Sequence, residues 1–244
     1  LRKALINKAW KPQVIHLSGV TDPYQPIEKD KKLTRGCLKV LKAFRNPVTL
    51  ITKNHLILRD LDILAEMAKF DGVSVSVSIT SLDHKLCNVM EPRTSMPENR
   101  LKAIEKLSNE GIPVGIMVAP IIPGLNDYEI PKIIKIATDA GAQFAGYTLL
   151  RLPFSVSEIF INWLDTHYPA KKKKILSLLK DARNGKLHES KTGSRMTGKG
   201  NIAESISRLF NLSVKNAHIE KYSLVLSTKN FRNPEQKQMT LFSS

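Results

Sequence analysis

Cysteine is almost absent from this chain: its 244 residues include two, Cys37 and Cys87, far apart in sequence. That separation excludes a CxxC metal pair, and two thiols are too few for a disulfide framework. Both are read as buried or half-buried helical thiols. Long apolar runs are missing too. None approaches the roughly 20 residues of a membrane-spanning helix, and Leu1-Arg2-Lys3 is not followed by the apolar core of a signal peptide. The expectation is a soluble, cytoplasmic protein with no membrane partner. Acidic residues are scarce, 22 against 38 Lys and Arg, for a net charge of +16. The imbalance is greatest in residues 169–244, with sixteen basic and five acidic side chains. Such a bias suits a polyanionic partner, nucleic acid among the alternatives, although the run Lys171–Lys174 reads as an ordinary solvated face. With 42% hydrophobic and 25% charged residues the composition is globular, enough for one large α/β domain or two small ones.

Five apolar runs have strand character: Val14–Ser18, Val48–Thr52, Val73–Thr80, Val114–Ala119 and Phe144–Leu150. Helical spacing separates them, in Leu33/Cys37/Val40/Leu41/Phe44, in Leu61/Leu64/Ala65/Ala68 and in Leu101/Ile104/Leu107. Ser95-Met-Pro-Glu98 has the form of a capping box opening the third helix, which closes at Gly111. Asn126 or Asp127 is the expected cap of the next, which closes at Gly141. Strictly alternating βα units predict parallel strands joined by right-handed crossovers. In VSVSVSIT, residues 73–80, valine and isoleucine occupy one face and Ser74, Ser76, Ser78 and Thr80 the other. Strands of an open, doubly wound sheet are apolar on both faces, so the pattern favours a curled sheet whose polar face lines an enclosed space. Beyond Leu150, Val156–Trp163, Ile175–Ala182 and Ile202–Leu212 are predicted helices, and Tyr222–Ser227 a strand. The basic stretch Gly185–Asn201 reads as a loop; its GSRMTGKG lacks the GKS/GKT ending of a phosphate loop. The predicted organisation is a partial barrel over 1–153 and a mostly helical, basic C-terminal extension over 154–244.

In a barrel of parallel strands the chemistry sits at the C-terminal strand ends. There the sequence offers Thr21 and Asp22 in a proline-stiffened turn, Lys53, Ser78, the segment Glu91-Pro-Arg-Thr94, the backbone from Ala119 to Pro123, and Arg151. Acid, base, hydroxyls and guanidinium on one rim suit a ligand carrying an amine, a carboxylate and a sugar. Lys53 or Arg93 would take the carboxylate, Asp22 or backbone acceptors the amine, and Ser78 the ribose hydroxyls.

The stretches LSGVTDPYQP, LITKN, VSVSIT, EPRTS, GIPVGIMVAPIIPGLND and AGYTLLRLP occur in that order. Together they resemble the radical S-adenosylmethionine proteins related to spore photoproduct lyase. The likeness runs from about Trp10 to Pro153 and more loosely to the QMTLF tail. It implies a partial (β/α)6 TIM-like barrel, a [4Fe-4S] cluster, S-adenosylmethionine as cosubstrate, an electron donor, and a 5′-deoxyadenosyl radical acting on an unidentified substrate. It further implies Thr21 and Asp22 near the methionine moiety, Lys53 near its carboxylate, Ser78 near the ribose and Ala119 beside the adenine. Glu91 and Arg93 would support this site, and Arg151 closes the same rim. Two departures stand out. The family's cluster loop, CxxxCxxC, is not in this sequence, so the loop and the first barrel strand are expected upstream of Leu1, and the chain alone is expected to be inactive. Where the lyase has a hydrogen-donating cysteine, this chain has Gly19. Two other functions fit the same residues: Schiff-base chemistry on Lys53, and nucleic-acid binding by a non-catalytic barrel.

Overall fold

The computed structural model describes residues 1–18, 20–187, 196–221 and 225–235. Six parallel strands form one sheet in chain order: β1 Ile15–Leu17, β2 Val48–Thr52, β3 Val73–Ser78, β4 Val114–Ile121, β5 Phe144–Leu149 and β6 Glu220–Lys221. A short α1 (Arg2–Ile6) precedes β1, and α2 (Glu28–Lys31) and α3 (Leu33–Phe44) join it to β2. The next connection holds α4 (Leu61–Ala68), and α5 (His84–Met90) and α6 (Pro97–Asn109) lie between β3 and β4. Then come α7 (Ile130–Asp139), α8 (Val156–His167), α9 (Lys172–Asp181) and α10 (Asn201–Asn216). No described helix is long and apolar enough to cross a membrane.

The helices form where the apolar stripe meets the sheet. On α3 that stripe is Leu38, Leu41 and Phe44, all fully buried, and the helix start is held by the Glu28 carboxylate, which accepts the N–H groups of Leu33 (2.9 Å) and Thr34 (3.1 Å). A carboxylate there satisfies orphan donors and complements the helix dipole. Helix α6 ends where Gly111 takes a positive φ of 69°, a conformation that disfavours a side chain. On β3, Val73, Val75 and Val77 pack into the main core, and the serines are buried as well. The alternating pattern therefore marks a strand enclosed on both faces, with Ser78 facing a cavity. Gly115 on β4 permits a close approach: a Cβ there would lie 2.3 Å from the Phe144 ring of β5.

The sheet does not stop at β5. Strand β6 pairs in parallel with it, Phe144 opposite Glu220 and Ala145 opposite Lys221. Helix α10 packs with Ala203, Ile206, Phe210 and Val214 into the main core, its Phe210 ring 4.6 Å from that of Tyr147. Across position 153, then, the strand-and-helix layering continues, while α8 and α9 build a second apolar cluster around Ile122, Leu125, Phe160, Leu164 and Leu179. The last strand lies just before the predicted Tyr222–Ser227; residues 222–224 lie outside the described set, and 225–227 form no strand. Gly19, residues 188–195 of the predicted loop and the QMTLF tail also lie outside the described residues.

Two predicted caps are used differently. Helix α6 begins one residue later, at Met96 as N-cap without a side-chain bond, and the Ser95 hydroxyl instead accepts the His55 N–H (2.9 Å) and donates to Asn54 (3.2 Å). Asn126 and Asp127 likewise leave α7 uncapped and bind the preceding turn, accepting the N–H of Ile122 (2.7 Å) and of Gly124 (2.9 Å) respectively. Ser95 thus ties two segments of the rim together, as does Asn126, whose amide also donates to the Thr80 carbonyl (2.7 Å), while Asp127 stays within its own turn.

Candidate functional site

A cavity of about 590 Å³ opens at the C-terminal ends of the strands. Thr21 and Asp22 after β1, Lys53 after β2, Ser78 on β3, Ala119 on β4 and Arg151 after β5 all line it. Six of the eight predicted site residues thus converge. Arg93 does not: it is exposed and lines a separate cleft of about 460 Å³ with Asp22, Tyr24 and Asn54. Glu91 stands behind Lys53 rather than in the cavity wall.

Asp22 is fully engaged. Its carboxylate accepts the N–H of Tyr24 (2.8 Å), the hydroxyl of Thr52 (2.7 Å) and the N–H of Lys53 (2.7 Å). Three donors on one carboxylate tie the turn after β1 to the end of β2. The neighbouring Thr21 hydroxyl accepts from the Gln25 amide. Behind the turn, buried Tyr24 donates to Asp60 (3.1 Å), which also receives Arg35 (2.8 Å) and Arg59 (2.9 Å). Burial, with Asp60 alongside, pushes the Tyr24 phenol far up and keeps it a donor.

Lys53 is held by an ion pair with Glu91 and by the Thr80 hydroxyl at 3.1 Å. Burial pulls its ammonium below the ordinary value, against the supporting charge of Glu91; Arg100 adds to the lowering and Asp22 opposes it. For Glu91, burial works to raise the carboxyl, and Lys53 and Arg100 together overcome it, holding the group below the usual carboxylate range. Arg100 is the centre of this cluster and is completely buried. Its guanidinium donates to Glu91 (2.8 Å), to the backbone carbonyls of Ser78 (2.8 Å) and Ser95 (2.6 Å), and to the Thr94 hydroxyl. The Ser95 N–H in turn reaches the Lys53 carbonyl at 3.1 Å. One arginine therefore fixes the segment 91–95, the end of β3 and the lysine behind which it lies.

On β3 and β4 the hydroxyls of Ser78 and Thr80 lie 3.0 Å and 2.8 Å from the Ala119 carbonyl. At the far end, Arg151 has one polar neighbour among the described residues, the Met196 sulfur 3.8 Å from Nη1, and its buried Nε has no acceptor. Arg183, from beneath, donates to the Leu150 carbonyl at 2.7 Å.

Sequence reasoning missed Arg100 and Met196. Arg100 could have been found, because it falls on the same helical stripe as Pro97, Ile104 and Leu107, and a charge on an apolar stripe calls for a buried partner. Nothing in the sequence marks Met196. Glu91 pairs with Lys53 and Arg100, not with its sequence neighbour Arg93: the arginine of helix α6 reaches the carboxylate from the interior.

The thiols match their reading. Cys37 is half-buried on α3; Cys87 is buried on α5, its thiol donating to the Ser81 carbonyl (3.4 Å) and pushed up to about 11 by burial. Among the described residues no three His, Cys, Asp or Glu side chains gather into a group that could hold a metal ion. An iron–sulfur cluster bound by three cysteines does not fit a chain with two separated thiols. The cavity with its lysine, hydroxyls and arginine does fit an adenosylated amino acid.

The family model of the radical SAM superfamily matches residues 1–137. An uncharacterized protein of Mycobacterium tuberculosis is 33% identical over 171 residues, 69% of this chain and 50% of that protein. One from Methanocaldococcus jannaschii is 35% identical over 155 residues, 64% of this chain and 56% of its own length. This chain spans about half the length of these curated relatives. Among solved structures, a spore photoproduct lyase double mutant with bound AdoMet and dinucleoside spore photoproduct superposes with a TM-score of 0.63 at 17% identity. That match covers 93% of this chain and 64% of the lyase. A second lyase structure, a single mutant with dinucleoside spore photoproduct, gives 0.63 at 18% identity over 91% and 63%. At these identities the lyase structures speak for the fold, a partial TIM-like barrel.

Proposed function

Because the chain belongs to the radical SAM superfamily, we propose that it carries the S-adenosylmethionine-binding rim of a radical enzyme that acts on a substrate yet to be identified. The observation that supports this reading is the convergence of Thr21, Asp22, Lys53, Ser78, Ala119 and Arg151 on one cavity of about 590 Å³. In the proposal Lys53 takes the cosubstrate's carboxylate, Ser78 faces the ribose and the backbone around Ala119 borders the adenine. Asp22, already holding three donors, shapes the turn against the methionine moiety rather than binding the amine. Glu91 supports Lys53, and Arg93 remains outside. S-adenosylmethionine supplies the 5′-deoxyadenosyl group on which the family's chemistry runs, while the protein binds it, orients it and keeps water away.

The cluster is assigned to thiolates other than Cys37 and Cys87, and reduction to an external electron donor. Schiff-base chemistry on Lys53 is the weaker reading, since it needs a neutral amine and this one is paired with a carboxylate. The test is anaerobic reconstitution of the full-length gene product, followed by measurement of iron, sulfide and 5′-deoxyadenosine after reduction with S-adenosylmethionine. About four irons per protein and 5′-deoxyadenosine formation are expected. A reconstituted protein that binds neither iron nor S-adenosylmethionine refutes the proposal.

A further inference from the structure

Among the described residues two cationic side chains line the cavity, Lys53 and Arg151. They stand on strand ends separated by β3 and β4, three strand spacings or about 14 Å along the sheet. Their situations differ. Lys53 already has a counter-charge in Glu91. Arg151 has none among the described residues: Nη1 has only the Met196 sulfur at 3.8 Å, and the buried Nε has no acceptor. A guanidinium cannot lower its cost by shedding a proton, and buried donors are normally satisfied. Asp22, the one carboxylate lining the cavity among the described residues, is taken up by Tyr24, Thr52 and Lys53.

The backbone carrying Arg151 is also fixed. The Leu149 N–H donates to the Met196 carbonyl (2.8 Å), the Leu150 N–H to that of Ile121 (2.8 Å), and the Leu150 carbonyl receives Arg183 (2.7 Å). The arginine is thus presented from a braced segment, the arrangement expected of a preorganised binding group.

S-adenosylmethionine has one carboxylate, which the proposed reading places at Lys53. We infer that the second molecule in the cavity, the substrate, carries an oxyanion, carboxylate or phosphate, that docks on Arg151. This inference rests on that reading for the position of the cosubstrate. The planar guanidinium accepts either group through two parallel hydrogen bonds, so the shared chemistry is an oxyanion of that geometry.

The test is calorimetric titration of the reconstituted full-length protein with inorganic phosphate and, separately, with propionate, each with and without saturating S-adenosylmethionine. The proteins are wild type, Arg151→Gln and Arg151→Lys, with folding checked by circular dichroism. One of the two probes is expected to bind wild type, and which one does identifies the oxyanion. Arg151→Gln should weaken it roughly 10- to 100-fold, the loss of a charge-assisted pair. Arg151→Lys should recover part of this. Equal oxyanion affinity in wild type and Arg151→Gln overturns the inference, as does wild type that binds S-adenosylmethionine but neither probe. Wild type that fails to bind S-adenosylmethionine defeats the cosubstrate reading, and with it the assignment of the oxyanion to the substrate.

Discussion

Replacing Arg100 with methionine isolates the cluster that holds Lys53. The side chain is completely buried and donates to Glu91, Thr94 and the carbonyls of Ser78 and Ser95. Methionine fills similar space but leaves both carbonyls without this donor, at about 1–3 kcal/mol for each one left unsatisfied. Glu91, only 7% exposed at its side chain, keeps Lys53 as partner, so the outcome belongs at the lower end of the roughly 3–5 kcal/mol cost of breaking a buried ion pair. A loss of about 3–4 kcal/mol is expected in urea unfolding at pH 7. That corresponds to a fall in Tm of about 6–16 °C for a chain of this length. The pH dependence supplies an independent check. Glu91 has a folded pKa below its unfolded value, so its contribution is complete above the ordinary carboxylate range, near about 4.3, and is lost as pH falls through the folded value. Without Arg100 the depression shrinks, so the acid-side loss contributed by Glu91 should be smaller and should end at a higher pH. A variant that costs less than about 1 kcal/mol, with an unchanged acid limb, would refute the view that Arg100 braces the rim.

Asp22→Asn retains one acceptor oxygen for three donors, so about 2–3 kcal/mol of stability should be lost; an unfolding midpoint equal to wild type would contradict the bridging role of that carboxylate. Gly115→Ala places a Cβ 2.3 Å from the Phe144 ring and 2.5 Å from its carbonyl, and overpacking of at least about 1–3 kcal/mol should appear as a lowered Tm; a neutral effect would mean that β4 and β5 are not this close. With a disulfide reagent at pH 8, buried Cys87, its thiol raised to about 11, should react far more slowly than half-buried Cys37, and equal rates would show that α5 opens readily. Glu91→Gln removes the charge that supports the Lys53 ammonium, so acylation of Lys53, followed by mass spectrometry, should reach its half-maximal rate at a lower pH; an unmoved profile would show that the pair is not maintained in solution.

Much of the scaffold was legible from period and punctuation. Of the five apolar runs up to Leu150, Val48–Thr52 forms β2 as predicted and the other four are found as strands within about two residues at either end, because alternating or continuous apolar runs between turn residues leave few other arrangements. The serine face of β3 announced an enclosed polar space, and Ser78 lines it. The rim residues were legible for a related reason: parallel topology carries the C-terminal strand ends to one side. Partners were not legible, since a hydrogen bond across 30 or 40 positions leaves no local pattern. Glu91 stands two residues from Arg93, yet its charge is met by Lys53 and Arg100. Asn126 and Ser95 carry capping signatures, yet they tie separate segments together, Asn126 to Thr80 and Ser95 to Asn54. Strand β6 is two residues long and exposed, too short to have a period, and exists because β5 offers an edge. Sequence by itself determined which segments bury a face and at which end of the sheet the polar rim side chains gather. Tertiary structure alone decided which charges meet, because burial makes each ion choose the partner that desolvation leaves within reach, wherever it lies in the chain.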